Sequence, residues 1–554
     1  MKTHLEDFYT WVSETPDKVF LRQPYGNTWK EITYKQAYET SARIASALVS
    51  NGIKKGDAVA IFSKNCYHWI LADLAIMMSG AVSVPLYPTI TGDELKDLLH
   101  RSHCKMLFVG KLDAFTPAHV AATVGTATIR FSEYPGNAEV RVGSLWTDLE
   151  KDNQPLAKPF KPDINDNWTM LFTSGTTGSP KGVLLTYKAP ASLMDMERKN
   201  HAIGLFRVKE YRYISYLPLN HIAERMIVEG ACFVTGGTIS FGESLKTFAK
   251  NLASIEPTVF MSVPRLYTKM QLAVLEKLGG EKRFNLLTSL PVVSFFIKRK
   301  IRKALGLGRV EVILTGAAPT PDSVKNWYKK IGINLREVYG MTENSGGCSL
   351  MPADNIKPGT VGKPLPGVDI KIGDENEEIM MRADWLMTGY YNEPEKTNAV
   401  FKDGYLLTGD RGELDAEGFL KITGRVSDSF KTAKGKFIIP APIEWLFAKN
   451  EHIEQVCIVG IGAPQPLALI SLSPMGKQIH ENELNKSLSV TLGEVNAGLA
   501  NYQKVGKIVV AREEWTVENG IMTPSMKIKR NVIDKRFLQH YETWSAATEE
   551  IIYH

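Results

Sequence analysis

Leu171-Phe172-Thr173-Ser174-Gly175-Thr176-Thr177-Gly178-Ser179-Pro180-Lys181-Gly182 is the stretch on which the reading of this chain turns. Its apolar entry is followed by a run of hydroxyls and glycines and then by one lysine. A loop of this make-up aims backbone N–H groups and Ser/Thr hydroxyls at phosphate oxygens, and Lys181 adds positive charge. It is not the Walker A pattern, which needs glycine, four residues and then Gly-Lys-Ser/Thr. Read in isolation, the run also has the composition of a flexible surface linker.

Around it lie 554 residues, enough for several domains or subdomains at about 100–200 residues each. Hydrophobic residues are 44% and charged residues 23%, which excludes a disordered, collagen-like or coiled-coil chain. The net charge of +6, from 66 basic and 60 acidic residues, is too small for a protein built to grip a nucleic-acid backbone, and none is expected as a partner. Five cysteines (Cys66, Cys104, Cys232, Cys348, Cys457) stand singly, without CxxC spacing, so neither a disulfide framework nor a thiolate zinc site is expected and a reducing cytoplasm fits. Met1–Asp7 has early acidic residues and no apolar run, and reads as no signal peptide. The most apolar stretch, Trp69–Pro88, contains Asp73, Ser79, Gly80 and Ser83, and predicts a buried helix followed by a strand rather than a membrane span.

From residue 30 to 110 helical and strand patterns alternate. Tyr34–Val49 has helical spacing and stops at Asn51-Gly52; Ala58–Phe62 predicts a buried strand, Trp69–Ser79 a helix, Ala81–Leu86 the next strand. Val259–Val263 and Val310–Leu314 continue the βαβ rhythm, which implies a mostly parallel sheet with helices on its faces. Tyr405–Ile422 reads as hairpins. A hinge is expected near Gly424–Asp428, dividing a large α/β domain (1–425) from a small α+β domain (426–554) with helices at Ala441–Lys449 and Glu481–Ala500 and a strand at Val456–Val459. Leu290–Gly308 interleaves apolar side chains with Lys298, Arg299, Lys300, Arg302 and Lys303; it is either a surface helix with one buried face or a basic amphipathic element for an anionic membrane surface.

The phosphate-type loop resembles the nucleotide loop of adenylate-forming enzymes, which include acyl-CoA synthetases, luciferases and the adenylation domains of peptide synthetases. Four further segments resemble that family's motifs in the same order. Tyr339-Gly340-Met341-Thr342-Glu343 is similar to the adenine and magnesium motif, Thr408-Gly409-Asp410 to the ribose motif, Gly424-Arg425 to the start of the hinge, and Thr523–Arg530 to the segment carrying the catalytic lysine. The resemblance implies a large N-terminal α/β domain of βαβ-type subdomains with a distorted β-barrel-like part, and a small mobile α+β C-terminal domain. It also implies a two-step reaction using ATP, Mg2+ and coenzyme A. A carboxylate attacks the α-phosphorus to give an acyl adenylate and pyrophosphate, and a thiol then displaces AMP.

The same resemblance assigns roles. ATP or AMP would be held by Thr173, Ser174, Gly175, Thr176, Thr177, Gly178 and Lys181, by the strap Gly316-Ala317-Ala318-Pro319, by Glu337, Val338, Tyr339, Gly340 and Met341, and by Asp410 and Arg425 at the ribose. Glu343 is the expected magnesium partner, since a hard cation takes carboxylate oxygen beside substrate phosphate, and Thr342 would bond a phosphate oxygen. Lys527 is the expected catalytic lysine, with Arg530 in the same Lys-x-x-Arg frame. His221, in Asn220-His221-Ile222-Ala223-Glu224-Arg225, resembles the gate between the acyl site and the thiol tunnel. Lys434 and Gly435 belong to the loop expected to enter the site for thioester formation. Lys431, Lys434 and Lys436 would meet coenzyme A phosphates or form a solvated basic loop. The pivot is expected at Ser427 or Asp428, although family members often carry Asp or Lys where Ser427 stands.

Local details lean to the long-chain fatty acyl-CoA synthetase branch: the segment 220–225, Ser262–Tyr267, and Phe430–Lys436 followed by Pro440–Glu444. They imply a medium- or long-chain fatty acid as substrate and a cytoplasmic enzyme, with peripheral membrane contact through 290–308. The chain departs from the branch at Glu377-Glu378-Ile379, where glycine usually precedes the Glu-Ile pair, and a turn rather than the chemistry is expected to change. Alternatives are an enzyme adenylating another small carboxylic acid, one passing its acyl group to a carrier-protein thiol, which the Lys434-Gly435 loop disfavours, and a non-catalytic nucleotide- or lipid-binding protein, which the joint presence of Thr342, Glu343, Asp410, Arg425 and Lys527 disfavours. No GxSxG elbow or HExxH motif supports another chemistry.

Overall fold

The computed structural model describes residues 1–173, 180–244, 246–447, 449–516, 519–523 and 528–554. Helix Tyr34–Ser50 begins where the Thr33 hydroxyl and the Gln36 side chain cap each other's backbone N–H groups. It stops at Asn51-Gly52, with Gly52 at φ +85°, a conformation that costs glycine nothing. Helix Tyr67–Ser79 buries every residue from Tyr67 to Met78, and strand Val82–Leu86 is buried throughout. The apolar stretch is therefore core. Among the described residues no helix is long and apolar enough to cross a membrane.

The βαβ rhythm closes into an eight-stranded sheet. Its order is Gly389–Tyr390, Lys181–Thr186, Asn167–Thr173, Val82–Leu86, Ala58–Phe62, Met106–Val109, Ala127–Arg130, Ser144–Leu145. The strands from Asn167–Thr173 outward to Ser144–Leu145 are parallel, while Lys181–Thr186 and Gly389–Tyr390 run antiparallel at the other edge. A second sheet puts Val259–Ser262, Val312–Gly316 and Arg336–Tyr339 in parallel, two residues later than the sequence pattern placed the middle strand. A third sheet carries Arg212–Ser215, Thr238–Phe241, Val19–Tyr25 and Thr28–Thr33. The antiparallel strands Asp369–Ile372, Glu378–Arg382, Tyr405–Leu414 and Leu420–Arg425 form the barrel-like part, bent by register shifts after Glu378 and Arg411. Residues 453–553 build a separate sheet of Ile453–Val459, Leu467–Leu472, Lys507–Val510 and Ile551–Tyr553, packed on helices Pro440–Phe447 and Glu481–Ala497.

One buried ion cluster joins a helix of the first sheet's layer to the segment between strands Arg212–Ser215 and Thr238–Phe241 of the third sheet. The fully buried Arg225 guanidinium forms two bonds of 3.0 Å with Asp73, in helix Tyr67–Ser79, and its Nε lies 3.4 Å from Glu229. Its cation faces the rings of Trp168, at 4.6 Å, and Trp69, at 5.3 Å. Burial works against the charged guanidinium, but Asp73 and Glu229 outweigh it and hold Arg225 above its ordinary range. Burial drives the Glu229 carboxyl well up, with Arg225 pulling it back. Arg225 opens a π-helical turn, Arg225–Gly230, directly after the 220–224 segment, so its anchoring fixes where that segment lies.

Removing one member of a buried pair strands the other in a dry interior. Arg225→Met is therefore expected to lower the unfolding free energy by about 3–5 kcal/mol in urea titrations. A loss below about 1 kcal/mol would mean that the cluster does not depend on Arg225 for its stability.

Candidate active site

The quoted loop proves to join two paired strands. Thr173 ends one and Lys181 opens the next, and the two residues face each other in register. Ser174, Gly175, Thr176, Thr177 and Gly178 lie outside the described residues, as does Lys527. The root of the loop is held from outside, since Arg101 Nη2 donates to the Pro180 carbonyl at 2.9 Å and reaches Glu393 at 3.4 Å.

Lys181 does not point into free space. Its ammonium sits 4.7 Å from the centre of the Tyr390 ring, and the Tyr390 hydroxyl donates to Glu343 Oε1 at 2.9 Å. Tyr390 is delivered by the edge strand Gly389–Tyr390, paired with Val183 and Leu184 on the strand that Lys181 opens. Glu343 is buried in a short 3-10 turn, Thr342–Asn344, whose backbone is pinned by Met387 N–H donating to the Glu343 carbonyl at 2.8 Å. Burial raises the Glu343 carboxyl, while Tyr390, Lys181 and Arg425 pull it back down. A buried carboxylate with two cations nearby and a single phenol donor has the donor chemistry that magnesium bound to a phosphate would use. No group of three metal-ligating side chains occurs among the described residues.

Tyr339 and Asp410 meet in the same region. The Tyr339 hydroxyl donates to Asp410 Oδ2 at 2.7 Å, and Arg425 Nε lies 3.2 Å from Oδ1. Asp410 and Arg425 are cross-strand partners, which fixes this pair by register. Gly409 N–H donates to Glu378 Oε1 at 2.8 Å. Burial and the adjacent Asp410 hold the Tyr339 phenol well above its usual range. The ring is buried and the hydroxyl committed, so Tyr339 is a fixed wall.

Gly316 and Val338 are also cross-strand partners, and a Cβ on Gly316 would come within 2.8 Å of the Val338 carbonyl. Only glycine fits there. Ala317 follows at φ +67°, and Ala317, Ala318 and Pro319 are exposed beside Tyr339. Gly340 is equally constrained, since its Cβ would meet the Gly346 carbonyl at 2.2 Å. Met341 N–H donates to Asn344 Oδ1 at 2.8 Å. Glu337 does not face an open site. It accepts from Thr320 N–H at 3.0 Å and from buried Lys325 Nζ at 2.9 Å, and so braces the strap that ends at Thr320.

His221 caps the short helix Ile222–Glu224 through Nδ1, which accepts from Ala223 N–H at 3.2 Å. Its neighbour Ile222 approaches Gly346, placing the segment against the turn that holds Glu343. Glu224 is fully buried, with Oε1 accepting from Tyr216 N–H at 2.9 Å and Asn65 Nδ2 at 3.4 Å. Burial pushes its carboxyl up to about 8.

Ser427 and Asp428 occupy a turn after strand Leu420–Arg425, and the Ser427 hydroxyl donates to Asp428. Arg530 is an anchor. It donates to the Ile458 carbonyl and Glu444, each at 2.5 Å, and lies 3.7 Å from Asp428. Arg530 thereby joins the helix it opens to the turn that follows the barrel-like strands. Lys434 and Gly435 form the tip of the hairpin Phe430–Lys431/Phe437–Ile438, with Gly435 at φ +71°. The hairpin leans on the turn between strands Ile453–Val459 and Leu467–Leu472, where Ala433 N–H donates to the Ala463 carbonyl at 2.9 Å. Glu377 stands where glycine was expected and adopts φ +57°, and its carbonyl accepts from Gly412 N–H. Sequence reasoning missed Tyr390, because nothing chemical distinguishes it from any other buried aromatic until Lys181 and Glu343 are seen beside it.

Residues 8–391 match the family model described as AMP-binding enzyme, and residues 428–546 match the AMP-binding enzyme C-terminal domain. The chain belongs to the AMP-binding enzyme family. Among curated proteins it is 29% identical to long-chain-fatty-acid–CoA ligase FadD15 of Mycobacterium bovis, covering 96% of this chain and 94% of that one. It is 30% identical to long-chain-fatty-acid–CoA ligase 5 of Rattus norvegicus, covering 95% and 85%. A solved structure, the adenylation domain of a carboxylate reductase from Mycobacterium chelonae, superposes with a TM-score of 0.80 at 20% identity, covering 98% of this chain and 91% of that chain, and shows the shared fold.

Glu224 gives a pH-dependent prediction. The unfolded chain releases this proton above the ordinary glutamate value of 4.5, whereas the fold holds it until about 8. The native state thus binds the extra proton in that window, and stability falls as pH rises through it. Glu224→Gln cannot ionise. Its melting temperature relative to wild type is expected to rise steadily from about pH 5 to pH 8, within that window; a constant difference would remove Glu224 as the source.

Proposed function

We propose that this protein is an ATP-dependent, AMP-forming fatty acid–CoA ligase acting on medium- to long-chain acids in the cytoplasm. The observation that carries the reading is the likeness to long-chain-fatty-acid–CoA ligases along nearly the whole chain. The cluster of Lys181, Tyr390, Glu343, Asp410 and Arg425 supports it by supplying the charges that a nucleotide phosphate and its magnesium need.

In the first half-reaction an oxygen of the acid's carboxylate bonds to the α-phosphorus of ATP. The bond to the bridging oxygen breaks, and pyrophosphate leaves with the electron pair. Charge gathers on the phosphoryl oxygens, so catalysis is mainly positioning and electrostatic stabilisation. Thr173 to Gly178, Lys181 and the Thr342 hydroxyl hold phosphate oxygens. Asp410 accepts hydrogen bonds from the ribose hydroxyls beside Arg425, and Gly316–Pro319 with Tyr339 encloses the adenine. Glu337 acts one step back, by bracing the strap. Magnesium, when bound, offsets phosphate charge, and Glu343 holds it. Lys527 bridges the acid's carboxylate and the α-phosphate.

In the second half-reaction the sulfur of coenzyme A attacks the acyl carbonyl and AMP leaves. We assign His221 to the gate between acyl site and thiol tunnel, and Lys434-Gly435 to the loop that meets the pantetheine arm. The chain would divide at 425/426, with the small domain turning about Ser427-Asp428 between the two steps. Arg530, three residues after Lys527 in the chain, lies 3.7 Å from Asp428 of that turn, so Arg530 and the turn would move as one piece.

Pyrophosphate release measured over a series of fatty acids is expected to peak at one medium or long chain length and to need coenzyme A for sustained turnover. Exchange of pyrophosphate into ATP without coenzyme A-dependent turnover would replace coenzyme A by another acceptor. In Lys527→Ala, adenylation is expected to fall at least about a hundredfold, with thioester formation from preformed acyl adenylate nearly unchanged. Adenylation at wild-type rate would remove Lys527 from the role.

A further inference from the structure

The stretch 264–304 is an excursion between two strands that lie side by side, Val259–Ser262 and Val312–Gly316. One helix suffices for such a crossover. Here there are three, Pro264–Leu278, Glu281–Ser289 and Pro291–Ala304. The latter two meet at Leu290, the N-cap of the last helix, where the sequence pattern had suggested one element from 290 to 308.

These two helices touch the protein by a narrow stripe. Phe284 stacks on Trp327 with ring centres 5.2 Å apart, and Ser294 and Ile301 are buried with Ile297 partly so. The apolar residues nearest the corner point the other way. Val292 is 73% exposed, Phe296 64%, Phe295 61% and Leu286 60%, with Leu290 and Val293 exposed beside them. Phe295 and Phe296 pack edge to face on each other at 5.5 Å, in the open. A surface helix normally buries its apolar face; this one presents it, and contiguous exposed apolar side chains mark an interaction surface.

Charge is arranged by distance from the corner. Within six residues of Leu290 on the Pro291–Ala304 side there is no charged residue. Beyond that come Lys298, Arg299, Lys300, Arg302 and Lys303, and on the other arm Lys282 and Arg283 stand eight and seven residues away. From 282 to 310 there is no acidic residue. None of these seven cations forms an ion pair among the described residues. At about 1.5 Å per residue the collar lies roughly 10–20 Å along the helices from an apolar corner, and interfacial helices bury their apolar face about 5–10 Å into the headgroup boundary.

We propose that the corner Leu286–Phe296 inserts into the interface of an anionic lipid bilayer, with Lys282, Arg283 and the cations of 298–303 seated on its acidic headgroups. Two copies of this chain meeting corner to corner would press like-charged collars together, which disfavours self-association as the occupant. A nucleic acid would match the collar and leave the phenylalanines in water. The surface stands on this geometry alone. Its use, drawing a fatty acid from the bilayer into a site whose strap ends the strand after the excursion, rests on the ligase reading.

Flotation of the full chain with vesicles, in the absence of ATP, coenzyme A and acid, tests the surface independently of any activity. Wild type is expected to bind phosphatidylcholine–phosphatidylglycerol vesicles and to bind pure phosphatidylcholine at least about tenfold more weakly. The double variant Phe295→Ser/Phe296→Ser, checked for an unchanged melting temperature, should lose most binding. Lys298→Glu/Arg299→Glu/Lys300→Glu/Lys303→Glu should lose the preference for anionic vesicles. Wild type that fails to bind either vesicle, variants that bind as wild type does, or a dimer abolished by the phenylalanine changes without vesicle binding, each overturns the proposal. Vesicle binding by a protein that activates no fatty acid would uphold the surface and remove the ligase reading instead.

Discussion

The burial of Arg225 constrains much of what surrounds it. A guanidinium with no access to water must be compensated, and here that takes a carboxylate from a different layer of the molecule, Asp73, together with the faces of Trp69 and Trp168. Such a pair adds little net stability relative to an apolar replacement, because desolvation cancels most of the attraction. What it does set is position. Helix Tyr67–Ser79, which is core to the first sheet, and the π-helical turn after His221 cannot shift relative to each other without exposing a charge to a dry interior.

With that layer fixed, the candidate site is assembled from strand ends. The phosphate-type loop springs from the Thr173–Lys181 pairing, the strap and the Tyr339 segment leave neighbouring parallel strands, and Asp410 and Arg425 face each other across an antiparallel pair. Three sheets thus direct their ends to one place, the arrangement by which α/β folds build crevices for ligands. The polar groups there are tied to one another: Lys181 over Tyr390, Tyr390 to Glu343, Tyr339 to Asp410, Asp410 to Arg425. A site so cross-linked is preorganised for charge and loses little freedom when a charged ligand enters.

Particular residues mark where reading the sequence succeeded and where it stopped. Strand Ala58–Phe62 falls on the residues expected, because five consecutive buried side chains leave no other element that fits. Glu377 takes the left-handed turn where glycine was missed, since the turn is set by the Gly412–Glu377 hydrogen bond rather than by the side chain. Glu337 lies inside a motif that reads as ligand-binding, yet Lys325 and Thr320 occupy its carboxylate. Arg530 shares a frame with Lys527 and is instead held by Glu444 and Ile458. In both cases the competing partner is distant from the motif, and no local pattern announces it.

The sequence by itself determined the elements and the family. Runs of buried strand residues, helix stops and five separated motifs are local properties, legible because each depends on a few adjacent side chains. The tertiary structure decided which of those residues share a site, which are spent on bracing it, and which apolar side chains stay in water. Val292, Phe295 and Phe296 have the spacing of an ordinary amphipathic helix. Only the packing of Phe284 and Ile301 against the core turns their face outward, because a helix has two sides and periodicity does not say which of them the rest of the chain will cover.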